Sequence, residues 1–176
     1  MTSNITPRPG ASLPKSSVVA YIAVASIISG MGGLLKLPSP VGSVALDAVP
    51  GLFSSVYYLP WVGGIVGAIG HLLSAASGGF PSGAIHLLIA VCVGIVCTIF
   101  GLIARAIDRA WGLVPAALVA IILNNAIPFV SVGLGLLPLE AALSLVFPFL
   151  LIAASVNVGI ACFILLAIRS IKAPNA

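Results

Sequence analysis

The sequence has very little charge. Of its 176 residues only 6% are charged, with seven Lys or Arg and three Asp or Glu, whereas 61% are hydrophobic. A soluble domain carries about 25% charged residues, so this chain cannot cover a surface that faces water. It is a membrane protein, and at about 20 residues per helical span it has room for roughly six short spans. That length excludes a fused ATPase, a receptor ectodomain and a transporter built from two large bundles.

Cysteine patterns and enzyme motifs are missing as well. Cys92, Cys97 and Cys162 lie inside apolar runs, with neither a C-x-x-C pair nor metal-ligand spacing, so we interpret them as small core residues. The sequence has no G-x-S-x-G, no H-E-x-x-H and no P-loop, which are the motifs of common hydrolases and ATPases. We therefore expect no catalytic residue, no metal site and no cofactor, and ATP hydrolysis would require other proteins.

Six apolar stretches, separated by proline- and glycine-rich breaks, predict an all-α transmembrane bundle. The predicted spans are 17–35, 43–58, 61–76, 83–106, 111–132 and 140–171, with a kink expected at Pro148 in the last one. Residues 17–171 then form one transmembrane domain, flanked by tails at 1–16 and 172–176. In a four-span alternative, the second and third spans form a surface hairpin. The number of crossings is again even, so both termini still lie on the same side of the membrane.

The basic residues give the bundle a direction. Lys and Arg favour the cytoplasmic side of short loops. With the N-terminus inside, six crossings place six of the seven basic residues on that side and leave only Lys36 outside. We therefore predict a multi-pass protein of a bacterial-type plasma membrane with both termini in the cytoplasm. The basic residues form no cluster or stripe, so we expect the lipid bilayer, and no nucleic acid, as a partner.

The polar side chains of the predicted spans gather in the outer half of the membrane. Asp47, His71, His86 and the adjacent Asn124 and Asn125 all fall at this depth. An ionisable group at mid-membrane costs about 2.5–3.5 kcal/mol on insertion scales, so such positions indicate function. A path through the membrane needs polar groups at both depths, whereas this distribution predicts an outward-facing cup that binds one small molecule.

Each of these residues also has a purely structural interpretation. Asp47 could bond to backbone amides near the start of its helix, and His71 could pack beside small residues. His86 could lie at the membrane interface. Neighbours on a helix point about 100° apart, so one of the two asparagines could face the cup while the other bonds across helices. Asn157, near mid-depth in the last span, is ambiguous.

The first span carries a stripe of small residues. Ala25, Ser29 and Gly33 are each four residues apart, so they share one helical face. Small side chains let helix backbones approach closely. The stripe predicts either tight packing inside the bundle or a docking surface for another membrane protein.

Two segments carry a more specific pattern. The first is P-S-P-V-G-S-V-A-L-D-A-V-P-G at 38–51; the second is G-A-I-G-H-L-L-S-A at 67–75, followed by Gly79-Phe80-Pro81 and by I-H-L-L at 85–88. Together they resemble the substrate-binding S components of energy-coupling factor (ECF) vitamin transporters. Within that family the pattern is most similar to the alpha-ribazole type, which salvages a cobalamin precursor.

The resemblance implies a six-helix fold and a protein that binds a vitamin from outside without chemistry of its own. It also implies association with a transmembrane coupling protein and two ATPase subunits. Members of the family usually carry Ala-x-x-x-Ala in the first span for the coupling protein. In this chain Ala25-x-x-x-Ser29 or Ser16-x-x-x-Ala20 takes its place.

For alpha-ribazole, the resemblance yields an expected set of contacts. We expect Phe80 or Phe129 to face the flat base, since aromatic pairs add about 0.5–1.5 kcal/mol. Asp47, His71 and the asparagines would then bond to the ribose hydroxyls. The alternatives are an S component for cobalamin or another vitamin, a standalone proton-coupled carrier that uses Asp47 and His71, and a small membrane enzyme, for which no nucleophile motif is present.

Overall fold

The computed structural model describes residues 15–39, 42–80 and 83–172. The predicted N-terminal tail, apart from its last two residues, and the predicted C-terminal tail, apart from Lys172, lie outside the described residues. So do Arg8 and Pro81, which the sequence analysis used. Within the described ranges the chain is a bundle of helices with one small β-hairpin.

Over the described residues the bundle has six helices, as predicted, if α6, the π-helical turn and α7 are counted as one irregular helix. In chain order the elements are α1 (Lys15–Gly32), β1 (Lys36–Ser39), β2 (Gly42–Ala45), α2 (Val49–Tyr57), α3 (Pro60–Ser77), α4 (Ile85–Ile107), a 3₁₀ turn (Ala110–Gly112), α5 (Leu113–Gly133), α6 (Leu139–Ala141), a π-helical turn (Ala142–Val146) and α7 (Phe147–Lys172). The two strands pair antiparallel, with Lys36 opposite Ala45 and Ser39 opposite Gly42. The predicted helical-bundle fold is confirmed, with this hairpin as an addition.

The extent of the second predicted span is wrong. Its first residues form β2, and α2 has only nine residues, about 14 Å at 1.5 Å per residue. The hydrocarbon layer is about 30 Å thick, so α2 is too short to cross it. Pro50 lies in the first turn of α2, where proline is tolerated because those N–H groups have no partner in the helix.

Among the residues that the structure describes, four stretches are long and apolar enough to cross a membrane. They are α1, α4, Ala110–Gly133 and Leu139–Ile171. Near Pro148, where the sequence predicts a kink, a π-helical turn directly precedes α7. Proline has no N–H for the carbonyl four residues earlier, and a π-helical turn is one way in which a helix accommodates that loss.

The largest cluster of buried apolar side chains begins at one end of the bundle, which we call the packed end, and extends along the interior as far as Ala48, Val93 and Ile127. It joins the C-terminal halves of α2, α4 and α7 to the first turns of α5, through the buried residues Val56, Phe100, Ala104, Leu113, Ala116 and Leu165. Lys15, Arg105, Arg109 and Arg169 belong to this end by their positions in the helices. The orientation of the packed end toward the cytoplasm remains a prediction.

Candidate functional site

A cavity of about 220 Å³ lies at the opposite end, which we call the cavity end. The segment before α2, the C-terminal halves of α3 and α5, and the N-terminal halves of α4 and α7 surround it. Its polar lining residues are Asp47, His71, Ser74, His86, Asn124, Ser131 and Asn157, and its remaining lining residues are apolar or glycine. Four of the six predicted ligand residues therefore meet in one cavity.

Asp47, His71 and His86 form a chain of polar contacts along the wall of the cavity. Nδ1 of His71 lies 3.1 Å from Oδ2 of Asp47, and Nε2 of His71 lies 3.3 Å from Nδ1 of His86. If His71 donates its Nδ1–H to the carboxylate, its Nε2 accepts a hydrogen bond, so a neutral His86 donates from Nδ1. The three residues come from three elements and together fix one arrangement of donors and acceptors.

The structure does not support the capping interpretation of Asp47. The residue precedes α2, whose N-cap is Ala48 without a side-chain cap. Its buried carboxylate bonds to His71 instead. Asp47 therefore does not cap the helix, and its charge faces the cavity.

The two adjacent asparagines have different surroundings. Asn124 lines the cavity, and Pro128, four residues later, has no N–H to donate to the Asn124 carbonyl. Asn125 does not line the cavity: it is buried, and its Nδ2 donates to the carbonyl of Ile121 at 2.9 Å on its own helix. The prediction that Asn125 contacts a ligand therefore has no support in the geometry, because the turn of the helix directs its amide away.

Neither predicted stacking residue lines the cavity. Phe80 is 42% exposed, and its ring meets His86 edge-on with a centroid distance of 5.9 Å. Phe129 packs edge-on against Phe147, also at 5.9 Å. Among the described lining residues, the aromatic rings are the imidazoles of His71 and His86. The reason is that the loop after α3 directs Phe80 outward with a positive φ of 51°, and Phe129 points to the last helix.

Asn157 is a lining residue that sequence reasoning left undecided. Its Oδ1 accepts from the backbone N–H of Ala48 at 3.1 Å, and its Nδ2 donates to the carbonyls of Ala45 at 3.2 Å and Ala153 at 2.9 Å. The signal was a lone amide in the middle of an apolar helix, which is costly unless it has partners. The sequence could not reveal those partners, because two of them are backbone atoms more than one hundred residues away.

The small residues of α1 face the inside of the bundle, which corrects their predicted role in docking. Ala25 and Ser29 are buried, and so is Gly33. A β-carbon at Gly33 would collide with Ser74 of α3, and one at Gly70 of α3 would collide with Ser29. The stripe therefore packs α1 against α3. The face that α1 leaves to lipid or to a partner is the opposite one, which carries Val24, Ile27, Ile28 and Met31.

The electrostatics of the cavity are simple. Asp47 is the acidic lining residue and is paired with His71, and the described lining residues include no Lys or Arg. Within the described part of the chain, no three His, Cys, Asp or Glu side chains are arranged to hold a metal ion. The arrangement is suited to hydrogen bonding with a small molecule that brings donors of its own.

Neither a protein-family model nor a curated protein matches the sequence. The fold is nevertheless similar to a solved structure, that of the S component of a bacterial ECF transporter. The TM-score is 0.59 at 18% sequence identity, and the match covers 89% of this chain and 95% of that chain. At this identity the likeness shows the fold alone, and it confirms the S-component architecture that the sequence resemblance implied. It does not extend to the alpha-ribazole subtype.

Proposed function

We propose that this protein is the substrate-binding membrane subunit of an ECF-type importer. The observation that carries the proposal is a cavity, lined by polar side chains from five segments, at one end of a bundle with the S-component fold. At the other end, buried apolar side chains fill the interior. This division suits a subunit that binds a ligand on one side of the membrane and depends on partners to transport that ligand across.

The partners in this proposal are a transmembrane coupling protein and two ATPase subunits. The chain has no P-loop, so the energy for transport must come from other subunits. The protein would lie in the plasma membrane with its cavity facing outward, where it captures a vitamin or vitamin precursor. The described exposed surface is rich in large apolar side chains along α1, α4 and α7, as contact with lipid requires.

The cavity favours a small ligand that is neutral or cationic. Its volume of about 220 Å³ lies below the range of about 300–1,000 Å³ for drug-sized ligands. Asp47 accepts hydrogen bonds but repels an anion. Alpha-ribazole, an uncharged nucleoside with a flat base and a ribose, meets these requirements, and cobalamin with its corrin ring is too large. We infer that the base packs on the apolar walls and that the ribose hydroxyls bond to Asp47, His71 and Asn124.

Ligand binding to the purified protein in detergent tests this proposal. A thermal-shift screen would compare alpha-ribazole, cobalamin and unrelated vitamins, and calorimetry would give the affinities. Substituting Asp47→Ala, His71→Ala or Asn124→Ala should each weaken alpha-ribazole binding by about tenfold, the effect of about 1.4 kcal/mol. Ser155→Ala is a suitable control, because the Ser155 hydroxyl is exposed and bonds only to its own helix at Leu151. Unchanged affinity in all three cavity variants would refute the site.

The charge of the ligand gives a second test of the same site. Alpha-ribazole 5′-phosphate differs from alpha-ribazole only by an anionic group. We expect it to bind at least about tenfold more weakly, because its phosphate meets the Asp47 carboxylate in a site that water screens poorly. Equal or tighter binding of the phosphate would show that the ligand class is wrong.

A standalone proton-coupled carrier is the second candidate, because the Asp47–His71–His86 chain could exchange protons. The packed end argues against it, since the side chains of Phe100 and Val56 are completely buried there and fill the interior. Protein reconstituted in vesicles with a pH gradient, without ATP or partners, should therefore not accumulate alpha-ribazole. Accumulation under these conditions would favour the carrier over the importer subunit.

A further inference from the structure

We propose that Asn157 and Ser29 are positioning residues that hold the Asp47 carboxylate in the ligand site. The proposal rests on the proposed function, since it concerns how that site is built. Asp47 lies between β2 and α2, in a segment without regular secondary structure. Such a segment does not by itself fix the direction of a side chain, so something outside it must do so.

Two buried side chains from distant helices supply that constraint. Asn157 of α7 accepts from the N–H of Ala48 at 3.1 Å and donates to the carbonyl of Ala45 at 3.2 Å. Ser29 of α1 donates its hydroxyl to the carbonyl of Asp47 itself. Backbone groups at membrane depth must find partners within the protein. The first and last helices of the bundle therefore hold the segment from both sides.

We call Asn157 and Ser29 together the clamp. The helices around residues 46–48 leave space for the clamp. A β-carbon at Gly70 would collide with the Ser29 side chain, and one at Gly32 would be only 2.5 Å from the carbonyl oxygen of Leu46. Both positions thus need glycine for the segment and Ser29 to come together. The clamp is part of the helix packing and is not an incidental surface contact.

The consequence for the ligand site follows from hydrogen-bond geometry. The Asp47–His71 contact is 3.1 Å long, and a contact that lengthens to 3.6 Å or more is no longer a hydrogen bond. A shift of the segment by about half an ångström is enough to separate the two side chains. Losing either clamp residue should therefore change the position of Asp47 and the hydrogen bonding of His71.

A double-mutant cycle distinguishes positioning from general stabilisation. Asn157→Ala and Ser29→Ala should each weaken alpha-ribazole binding by about three- to tenfold when Asp47 is present, and should have no further effect in the Asp47→Ala background. Asn157→Asp keeps the acceptor for Ala48 but turns a second oxygen toward the carbonyls of Ala45 and Ala153, so a loss at least as large as that of Asn157→Ala is expected. Additive losses in the Asp47→Ala background would overturn the proposal.

A second readout needs no ligand. The chain has only two histidines. Labelling the protein with ¹⁵N-histidine, with an affinity tag that contains no histidine, therefore gives NMR signals from two side chains. The His86→Gln variant assigns these signals. Ser29→Ala and Asn157→Ala should shift the His71 nitrogen signals. The matched control is Ser26→Ala, one turn earlier on α1, because the Ser26 hydroxyl is buried but has no hydrogen-bond partner among the described residues.

These results separate the two proposals. If neither clamp variant changes the His71 signals while both lower the melting temperature, Asn157 and Ser29 are merely structural and the inference is wrong. If the His71 signals move but no ligand in the screen binds to the wild-type protein, the proposed function fails and the positioning role stands. Ser26→Ala should leave both the signals and the affinity as in the wild type.

Discussion

The two ends of the bundle are made from the same helices but are filled in different ways. At the packed end, Phe100, Val56 and Ala116 have no exposed surface, and apolar contacts fill the interior. At the cavity end, α3, α4, α5 and α7 separate around a space of about 220 Å³, and polar side chains bond to one another along its wall.

This difference indicates that stability and ligand binding are located in different parts of the chain. In lipid there is little hydrophobic drive between helices, so close packing and interhelical hydrogen bonds hold a bundle together. The packed end provides both, whereas at the cavity end the site interrupts the packing of α3, α4, α5 and α7, and the close approach of α1 to α3 at Gly33 and Gly70 remains. We therefore expect substitutions at the packed end to lower the free energy of unfolding, and those at the cavity end to lower affinity.

The largest effect on stability is expected for Phe100→Ala. The Phe100 side chain is fully buried in the core of the packed end, and removing such a ring costs about 3–5 kcal/mol of the free energy of unfolding. Denaturation by SDS in mixed micelles would measure the loss. Phe163→Ala is the control, because that ring is 72% exposed. Equal effects of the two substitutions would contradict the division into ends.

The next largest effect is expected where α2 meets α3. A β-carbon at Gly51 would lie 2.8 Å from the Cα of Gly67 and 2.9 Å from the Sγ of Cys97, so Gly51→Val should force the helices apart and cost about 1–3 kcal/mol. At Gly159, in contrast, an added β-carbon meets nothing within 4 Å among the described residues. Gly159→Ala should leave the midpoint of SDS denaturation unchanged. A clear loss of stability in this control would contradict the explanation that a collision of the added β-carbon causes the effect at Gly51.

Hydropathy and the positions of helix-breaking prolines and glycines predicted much of this architecture. Prolines and glycines marked the ends of α3, α4 and α5 to within a few residues, since they interrupt helices by simple backbone chemistry. The depth of polar residues brought Asp47, His71, His86 and Asn124 into one group, because ionisable groups are costly in lipid. These are local properties that a residue carries with it in the sequence.

The errors concern properties that depend on distant parts of the chain. The short α2 and the preceding β2 look like one apolar stretch, because hydropathy alone does not distinguish a short strand from a helix. The direction of Asn125, the outward position of Phe80 and the inward face of Ser29 depend on the neighbours that each helix meets. The partners of Asn157 lie in a segment more than one hundred residues earlier.

A moderate effect is expected for Arg105, which links the end of α2 to α4. Its guanidinium donates to the carbonyls of Val56 at 2.9 Å and Tyr58 at 3.2 Å. A cation at a helix C-terminus stabilises unpaired carbonyls, so Arg105→Gln should cost about 1 kcal/mol. Arg109→Gln provides the comparison, because Arg109 is exposed. Thermal melting should separate the two variants, while alpha-ribazole affinity stays the same in both.

The smallest effect on stability is expected for Asp47→Asn, although it should strongly affect binding. The substitution keeps the shape of the side chain and its ability to bond to His71 but removes a buried charge. Because burying a charge costs free energy that its partner only partly returns, the melting temperature should stay unchanged or rise slightly. Affinity for alpha-ribazole should fall by about tenfold, since an amide accepts hydroxyl donors less strongly than a carboxylate. A marked loss of stability would show that Asp47 holds the bundle together, and the two ends would then no longer divide stability from binding.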